Sequence, residues 1–359
     1  MNEADRASPL ARIAVAVYVL LTAYASLYPL EGWRDHGASP LAYLSAPWPR
    51  YVVPLDVALN ILGYAPYGFL CLAALYPRLR GLAAFLLAVL SAAALSLALE
   101  AAQSYLPARF ASNLDVLCNI GGAAAGAALA LVLTPWLLPQ GPLKRLRDHW
   151  FLPGAGIDFG LMLIALWLFV QLNPATLLFG AGDLRDLLVA AEGRARRPEF
   201  FVVIEAFIAA ANLVALALLA SALLAPGRPS RALLIALIAV ALAVRTGALA
   251  VLMHAEHVFA WLTPGGQYGL LAGLLIAAAA IALPRTARLI LAAVLLMSAT
   301  VLVNLSPPNP YFAASLKVWQ QGHFLNFNGL TRLVSAAWPF VALAYLMYLA
   351  SPRSREALG

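Results

Sequence analysis

Long hydrophobic runs, each close to the length that crosses a bilayer, make up most of the chain. Ten of them occur, separated by short segments that contain polar, proline or glycine residues. They cover residues 13–30, 54–76, 82–103, 113–138, 157–172, 200–224, 232–252, 267–283, 288–303 and 333–350. Because a hydrocarbon core about 30 Å thick is crossed by roughly 20 apolar residues in helical conformation, the pattern predicts an all-α fold. We expect a polytopic integral membrane helical bundle of about ten transmembrane helices.

Two of the ten runs begin with the same polar motif. The second run contains DVALNILG and the fourth contains DVLCNIGG, 59 positions later, so both read Asp-Val-x-x-Asn-Ile-x-Gly. The polar residues of the two copies are Asp56, Asn60, Asp115 and Asn119. Side chains four residues apart share one face of a helix. The glycines that close the two copies, Gly63 and Gly122, predict a close approach between helix backbones.

The composition agrees with a membrane protein and narrows the possible partners. Hydrophobic residues form 63% of the chain and charged residues 11%, with a mean hydropathy of +0.85, which lies outside the range of soluble domains. The net charge of +7 is explained by basic loops that orient the helices, so no nucleic-acid partner is expected. Cys71 and Cys118 are predicted to lie near opposite membrane faces and to stay unpaired.

The basic residues predict the direction in which the helices cross the membrane. With the N-terminus in the cytoplasm, thirteen lysines and arginines fall in inner segments and nine in outer segments. Short cytoplasmic loops show this excess of positive charge. The second and fourth helices then run from outside to inside, the third returns, and both termini are cytoplasmic.

The third hydrophobic run delivers further polar residues to the same outer level. It ends in ALEAAQSYLPARF, with Glu100 and Gln103 on one helix face and Arg109 in the loop that follows. Three helices and one loop therefore bring carboxylates, amides and a guanidinium group together. The candidate catalytic residues are Glu100, Asp56 and Asp115, and the candidate substrate-binding residues are Arg109, Gln103, Asn60 and Asn119.

Each of these residues also has a purely structural interpretation. Aspartate is favoured at helix N-termini, where Asp56 and Asp115 stand, and asparagines form interhelical hydrogen bonds in membranes. Glu100 is harder to explain in this way, because it stands at the C-terminal end of its helix, where the helix dipole disfavours negative charge. An intramembrane carboxylate is by default a candidate for function. The sequence therefore favours a functional site over a structural one.

The order of these motifs resembles the VanZ-like membrane proteins over about residues 10–138. The resemblance rests on D-x-x-x-N-x-x-G-x-x-P-x-G from Asp56, E-x-x-Q-x-x-x-P-x-R from Glu100 and D-x-x-x-N-x-x-G from Asp115. It implies that the seven candidate residues occupy the family's characteristic positions. It also implies a multi-pass protein of the bacterial cytoplasmic (inner) membrane with a role in the cell envelope, because the family's namesake is associated with resistance to the glycopeptide teicoplanin.

A loop rich in proline, glycine and basic residues divides the chain. We predict a VanZ-like four-helix domain at residues 1–138, a cytoplasmic loop at 139–156 and a six-helix C-terminal domain at 157–359. The C-terminal domain has no third copy of the motif. Residues 184–201 are interpreted as a short amphipathic helix near lipid phosphates or as a solvated loop. Residues 306–332 are interpreted as an aromatic-rich interfacial segment.

Neither a metal site nor a cofactor is expected. Four residues of the outer segments offer some of the ligand types of zinc. They are His254, Glu256, His257 and His323. No cysteine or second carboxylate motif lies near them in the sequence, which argues against a metal. Arg245, inside the seventh run, is expected to pair with an acid such as Glu205 or to line a polar cavity.

The seven candidate residues form a polar cluster, which supports three hypotheses of function. The leading one is an enzyme or lipid-handling protein that acts on an anionic lipid or a lipid-linked envelope precursor at the outer leaflet. Carboxylates of unequal burial can serve as acid and base, and Arg109 suits a phosphate or carboxylate group. A transporter is the second hypothesis, although the two motif copies run parallel and lie near one surface. A non-catalytic scaffold or binding protein is the third, and the oligomeric state stays open.

Reporter fusions test the predicted topology. Fusions after Arg80 and Leu152 are expected to report a cytoplasmic location, and fusions after Arg109 and Arg194 an external one, because the basic residues of short loops are retained inside. Paired reporters that are active on only one side of the membrane measure this. The opposite pattern would place the polar cluster at the inner leaflet and contradict an outer-leaflet site.

Overall fold

The computed structural model describes residues 9–35, 37, 39–49, 51–76, 78–137, 141–185, 197–252, 258–307, 309 and 325–351. Within these residues the chain forms eleven α-helices and one short 3-10 helix. The α-helices are α1 (Pro9–Leu27), α2 (Pro54–Leu75), α3 (Gly81–Gln103), α4 (Asn113–Leu137), α5 (Pro142–Trp150), α6 (Ala155–Val170), α7 (Pro198–Ala222), α8 (Ser230–Leu252), α9 (Pro264–Ala280), α10 (Arg285–Leu305) and α11 (Leu325–Ala350), and the 3-10 helix is Ala42–Ser45.

Hydrophobic length decides which of these helices can cross a membrane. Eight of the described helices are long and apolar enough by length and composition. α6 and α9 are also apolar but shorter, with 16 and 17 residues. These ten helices overlap the ten predicted runs, and the largest difference is at α11, which begins at Leu325 and not at residue 333. The prediction of a polytopic helical membrane protein is confirmed.

The helix starts follow local rules. Proline stands at the first turn of α2, α7 and α9, where its fixed φ suits the helix and its missing N–H would have no intrahelical acceptor. Thr263 precedes α9, and its hydroxyl oxygen accepts a hydrogen bond of 3.0 Å from the N–H of Gly266, as an N-cap residue does. α5 is different in kind: it is polar, and Lys144 pairs with Asp148 one turn later at 2.6 Å.

The chain divides into two compact units, Met1–His149 and Trp150–Gly359. The N-terminal unit contains α1 to α4 and most of α5, and the C-terminal unit contains α6 to α11. The boundary falls inside the segment that was predicted as a loop between two domains.

In the N-terminal unit, α2 and α4 pack backbone against backbone. A Cβ atom added at Gly122 would overlap the carbonyl group of Ile61, and one added at Gly126 would overlap that of Ala65. Small residues allow such contacts between helices in a membrane. Because the contacts advance in the same direction along both helices, α2 and α4 run parallel. The two copies of the polar motif therefore lie at one level.

Gly63 takes no part in this contact, and the prediction for it was wrong. A Cβ atom at Gly63 would meet nothing within 4 Å. Its carbonyl oxygen accepts a hydrogen bond of 2.7 Å from the Tyr18 hydroxyl of α1. Only one glycine of the repeated pair needs to face the partner backbone, and in this pair of helices it is Gly122.

α3 presents a stripe of small residues at four-residue spacing. Ala84, Ala88, Ala92 and Ser96 are all 0% exposed. Glu100 continues the stripe one turn later and is 5% exposed. Because small side chains let neighbouring helices come close, the stripe carries Glu100 into the packed interior of the unit.

In the C-terminal unit, α7 is the central helix. Almost all of its residues from Ile208 to Ala222 are buried. It packs against α9 and α10, with further contacts to α6 and α8, while α11 packs against α6 and α10. A helix that is largely apolar around its circumference is expected where other helices surround it.

Arg245 of α8 is 2% exposed, and its guanidinium group donates to the chain that follows α6. The Nη1 atom lies 2.5 Å from the carbonyl oxygen of Asn173 and 2.8 Å from the hydroxyl of Thr176. Glu205 interacts with this charge through space, but the direct hydrogen bonds of Arg245 within the described residues go to carbonyls and a hydroxyl. A helix end leaves carbonyl groups without intrahelical donors. Arg245 donates hydrogen bonds to such groups and, in the part of the chain that the structure describes, does not form a direct ion pair with an acidic residue.

The contact between α2 and α4 can be tested with two neighbouring glycines. Gly122→Ala is expected to destabilise the protein by about 1–3 kcal/mol, because the new methyl group overlaps the backbone of α2. Gly121→Ala is the matched control, since a Cβ atom there would meet nothing within 4 Å. Thermal unfolding of the purified protein in detergent measures both. Equal melting temperatures for the two variants would contradict the backbone contact.

Candidate functional site

Glu100 is the most deeply buried acidic group of the N-terminal unit's polar cluster. Its carboxylate Oε2 accepts a hydrogen bond of 2.9 Å from the backbone N–H of Ser112, which lies just before α4. The side chain is 5% exposed. A buried carboxylate needs hydrogen-bond donors to offset the loss of water, and Ser112 supplies one.

Two further carboxylates extend from Glu100 toward the surface. Asp115 interacts electrostatically with Glu100 on one side and with Asp56 on the other. The side-chain amide of Asn60 is in hydrogen-bonding contact with Asp115. Glu100 is buried, Asp115 is half-buried and Asp56 is exposed. The parallel packing of α2 and α4 thus produces a row of acidic groups with increasing exposure.

Asn119 lies one helical turn after Asp115 and contacts α3. Its Nδ2 donates a hydrogen bond of 2.9 Å to the Ser96 hydroxyl, and Tyr64 of α2 also bonds to Ser96. The Oδ1 atom of Asn119 is buried and has no hydrogen-bond partner among the described residues. Ser96 and Tyr64 were not among the residues predicted from the sequence. The signal for Ser96 was available, because it stands on the small-residue stripe of α3 four positions before Glu100.

Arg109 and Gln103 hold the end of α1. Arg109 donates from Nε to the carbonyl oxygen of Tyr28 at 3.0 Å and from Nη2 to that of Ala25 at 3.1 Å. Gln103 donates to the carbonyl oxygen of Ser26 at 2.9 Å. The last carbonyl groups of a helix lack intrahelical donors and favour positive charge. These contacts are structural, and the sequence did not predict them.

Arg109 also acts on the acidic row. Burial lowers the pKa of Arg109 from its ordinary value, and the negative charge of Glu100 acts in the opposite direction. Guanidinium groups keep their proton in proteins. Arg109 therefore supplies a fixed positive charge close to Glu100 while its donors hold α1.

The segment between α1 and α2 lies against this end of the unit. The hydroxyl of Tyr43 donates to the carbonyl oxygen of Leu97 at 3.2 Å, and Asn113 donates to the carbonyl oxygen of Ala46 at 2.8 Å. Burial raises the pKa of the Tyr43 phenol, and the charge of Glu100 raises it further. The segment thus forms part of the surroundings of Glu100.

The structure brings together most of the residues that the sequence singled out. Glu100, Asp115, Asp56 and Asn60 form one connected group, and Arg109 lies near it. Asn119 turns toward α3, and Gln103 turns toward α1. The hydrogen bonds of these last two residues therefore go to groups outside the connected acidic group.

The three carboxylates are not arranged as metal ligands. Among the described residues, no group of three or more histidines, cysteines, aspartates and glutamates could hold a metal ion. His254, Glu256, His257 and His323, considered above for zinc, lie outside the described residues. Carboxylate, amide and guanidinium groups at this spacing suit proton transfer and hydrogen bonding.

A comparison with known families covers this part of the chain. Residues 12–134 match the family model VanZ/LLP1. This segment is therefore similar to the VanZ/LLP1 family, and we call it the VanZ-like domain. All seven candidate residues lie inside the VanZ-like domain, and so do Ser96, Tyr64 and Ser112. No curated protein and no solved structure matches the chain significantly.

A double-mutant cycle can measure the strength of the hydrogen bond between Asn119 and Ser96 in the VanZ-like domain. Asn119→Ala and Ser96→Ala, alone and together, are expected to give a coupling of about 0.6 kcal/mol, the average for hydrogen bonds between membrane helices. Unfolding in mixed detergent and denaturant provides the free energies. Additive effects of the two substitutions would show that this hydrogen bond does not hold α3 to α4.

Proposed function

We propose that the VanZ-like domain is an acid–base site for a membrane amphiphile, an anionic lipid or a lipid-linked precursor of the cell envelope. The observation that carries the proposal is the environment of Glu100: it is 5% exposed, hydrogen-bonded by Ser112 and beside Asp115. Burial of a carboxylate costs free energy that an apolar packing residue would avoid. A group held in this way is suited to proton transfer.

The row of carboxylates supplies a route for the proton. Like charges in a poorly solvated site resist joint ionisation, so the row favours a shared proton. Glu100 would then exchange a proton with an oxygen of the substrate, and Asp115 and Asp56 would exchange it with water. Amides such as that of Asn60 orient hydroxyl groups and stabilise the charged form of a neighbouring carboxylate.

Two features support an amphiphilic substrate. Arg109 contributes positive charge near Glu100, which suits a phosphate or carboxylate group. Large apolar side chains are also exposed in the chain segments at this end of the domain, where Trp48 is 61%, Tyr51 is 92% and Phe110 is 90% exposed. Aromatic residues of this kind are typical of the membrane interface. Both features suit a substrate with an anionic head and an apolar body.

The cellular setting forms part of the same proposal. We place the domain in the bacterial cytoplasmic membrane with its acidic row at the outer leaflet, as the distribution of basic residues predicts. Envelope lipids and lipid-linked precursors are accessible there. A contribution to glycopeptide (teicoplanin) resistance would follow if the substrate belongs to the pathway that the antibiotic blocks.

A scaffold or binding protein is the second candidate function, and specific contacts favour it. Arg109 and Gln103 use their donors to hold α1, and Asn119 holds α3. If the acidic row also served only to hold helices together, the domain would bind or shield an envelope component without chemistry. A transporter has less support, because the two motif copies lie at one end of α2 and α4, away from the middle of the helices.

Glu100→Gln tests the acid–base role. Glutamine keeps the size and can still accept the hydrogen bond of Ser112, but it carries no exchangeable carboxyl proton. Since general acid–base catalysis contributes about 10²–10⁴-fold, we expect turnover to fall by that factor and the melting temperature to stay near that of the wild type. Lipids that co-purify with the protein, identified by mass spectrometry, serve as candidate substrates, and their conversion is followed in the same way.

Glu31→Gln is the matched control, because Glu31 is an exposed glutamate of the same domain. It is expected to leave turnover and the teicoplanin susceptibility of the cells unchanged. A Glu100→Gln protein that is folded and fully active would eliminate the acid–base proposal and leave the scaffold.

A further inference from the structure

The C-terminal unit contains a small cavity whose largely apolar wall also includes two charged residues and the polar residues Ser306 and Asn309. Its volume is about 50 Å³, and it lies beside α7, the last turn of α10 and the chain after α6. Phe201, Ile208 and Val303 form part of the apolar wall. Glu205 and Arg185 bring opposite charges to the same cavity. From the sequence, Glu205 was predicted only as a possible partner of Arg245, and no link to Arg185 was predicted.

Glu205 is the buried member of this pair. It is 7% exposed, and its Oε1 atom accepts a hydrogen bond of 2.5 Å from the Thr263 hydroxyl at the start of α9. The positive charge of Arg245 lies near it, which balances its negative charge within the unit. Glu205 keeps further acceptor capacity, because an ionised carboxylate has about four lone-pair sites.

Arg185 is the more accessible member. Its side chain is 21% exposed. It donates to both carboxylate oxygens of Asp183, at 2.9 and 2.5 Å, and from Nη1 to the carbonyl oxygen of Ser306 at 3.3 Å. Asp183 fixes the orientation of the guanidinium group and balances its charge. A guanidinium group has five N–H donors, so these contacts leave capacity for another acceptor.

The charge balance limits what this cavity can hold. The formal charges of Glu205 and Arg245 sum to zero, and so do those of Arg185 and Asp183. A ligand with a single charge would therefore add an uncompensated charge to a site with little water. That addition is unfavourable. A ligand that carries one positive and one negative group adds no net charge and meets a complementary group at both ends.

We propose that this cavity binds a small ammonium–oxyanion zwitterion, with Glu205 holding the ammonium group and Arg185 the oxyanion. The volume suits this assignment, because about 50 Å³ holds roughly three to five water-sized groups, enough for an aminoethyl group. The oxyanion then lies at the more exposed Arg185. The zwitterion is the headgroup of an amino phospholipid or a free molecule of the same chemistry. The proposal does not depend on the function proposed for the VanZ-like domain.

The experiment uses the full-length protein in nanodiscs of phosphatidylcholine, whose bulkier trimethylammonium group has no N–H to donate to Glu205, and measures the melting temperature as a second lipid is added. Phosphatidylethanolamine is expected to raise the melting temperature in a saturable way, because a ligand that binds the native state stabilises it. Phosphatidylglycerol, which lacks the ammonium group, is expected to have no such effect. A third arm adds soluble phosphoethanolamine, and a shift there assigns the site to a free zwitterion and not to a lipid.

Single substitutions connect the effect to the cavity. Glu205→Gln and Arg185→Gln are each expected to weaken binding by about tenfold or more, the effect of losing one charge-assisted hydrogen bond. Glu199→Gln on the same helix and Arg197→Gln just before it are matched controls, since both residues are exposed. They should bind as the wild type does.

Several results would overturn the assignment. One is equal stabilisation by phosphatidylglycerol, and another is wild-type affinity in Arg185→Gln or in a folded Glu205→Gln protein. Equal loss of binding in the Glu199→Gln or Arg197→Gln control would show a general surface effect and would also contradict it. If Glu205→Gln does not fold, Arg185→Gln decides the question by itself.

Discussion

The close contact between α2 and α4 is the constraint on which the polar cluster depends. Gly122 and Gly126 lie against the backbone of α2, so the two helices approach more closely than side chains would allow. The two parallel helices then hold equivalent residues of the repeated motif at one level. Asp56 and Asp115 interact for that reason, and the row of carboxylates that reaches Glu100 begins there.

α3 and α1 complete the site by two different means. The small residues of α3 bring Glu100 into the interior, where Ser112 provides a hydrogen bond. Arg109 and Gln103 then join the end of α3 and its loop to the last carbonyl groups of α1. The same guanidinium group stabilises a helix end and sets the charge near Glu100. The structural contacts of Arg109 and its electrostatic effect on Glu100 are therefore coupled, and a substitution there changes both.

In the C-terminal unit, the buried charges are stabilised by hydrogen bonds to neutral groups. Arg245 bonds to carbonyl groups that follow α6, and Glu205 bonds to the hydroxyl of Thr263. The two opposite charges balance through space without a direct contact. This arrangement keeps the carboxylate of Glu205 available at the cavity wall, whereas a direct ion pair with Arg245 would have used it. Polar groups inside a membrane bundle are costly and are therefore candidates for function.

The sequence by itself determined the ten hydrophobic helices and the residues of the polar cluster, because hydrophobic length and the spacing of a motif along one helix are local properties. It also determined that α2 and α4 run parallel, since a single membrane-crossing helix, α3, lies between them in the sequence. Only the tertiary structure decided that Gly122 and not Gly63 meets the partner backbone. It likewise decided that Arg109, Gln103 and Arg245 donate to carbonyl groups. Every helix end offers similar acceptors, so the choice among them depends on which residues packing brings within hydrogen-bonding distance.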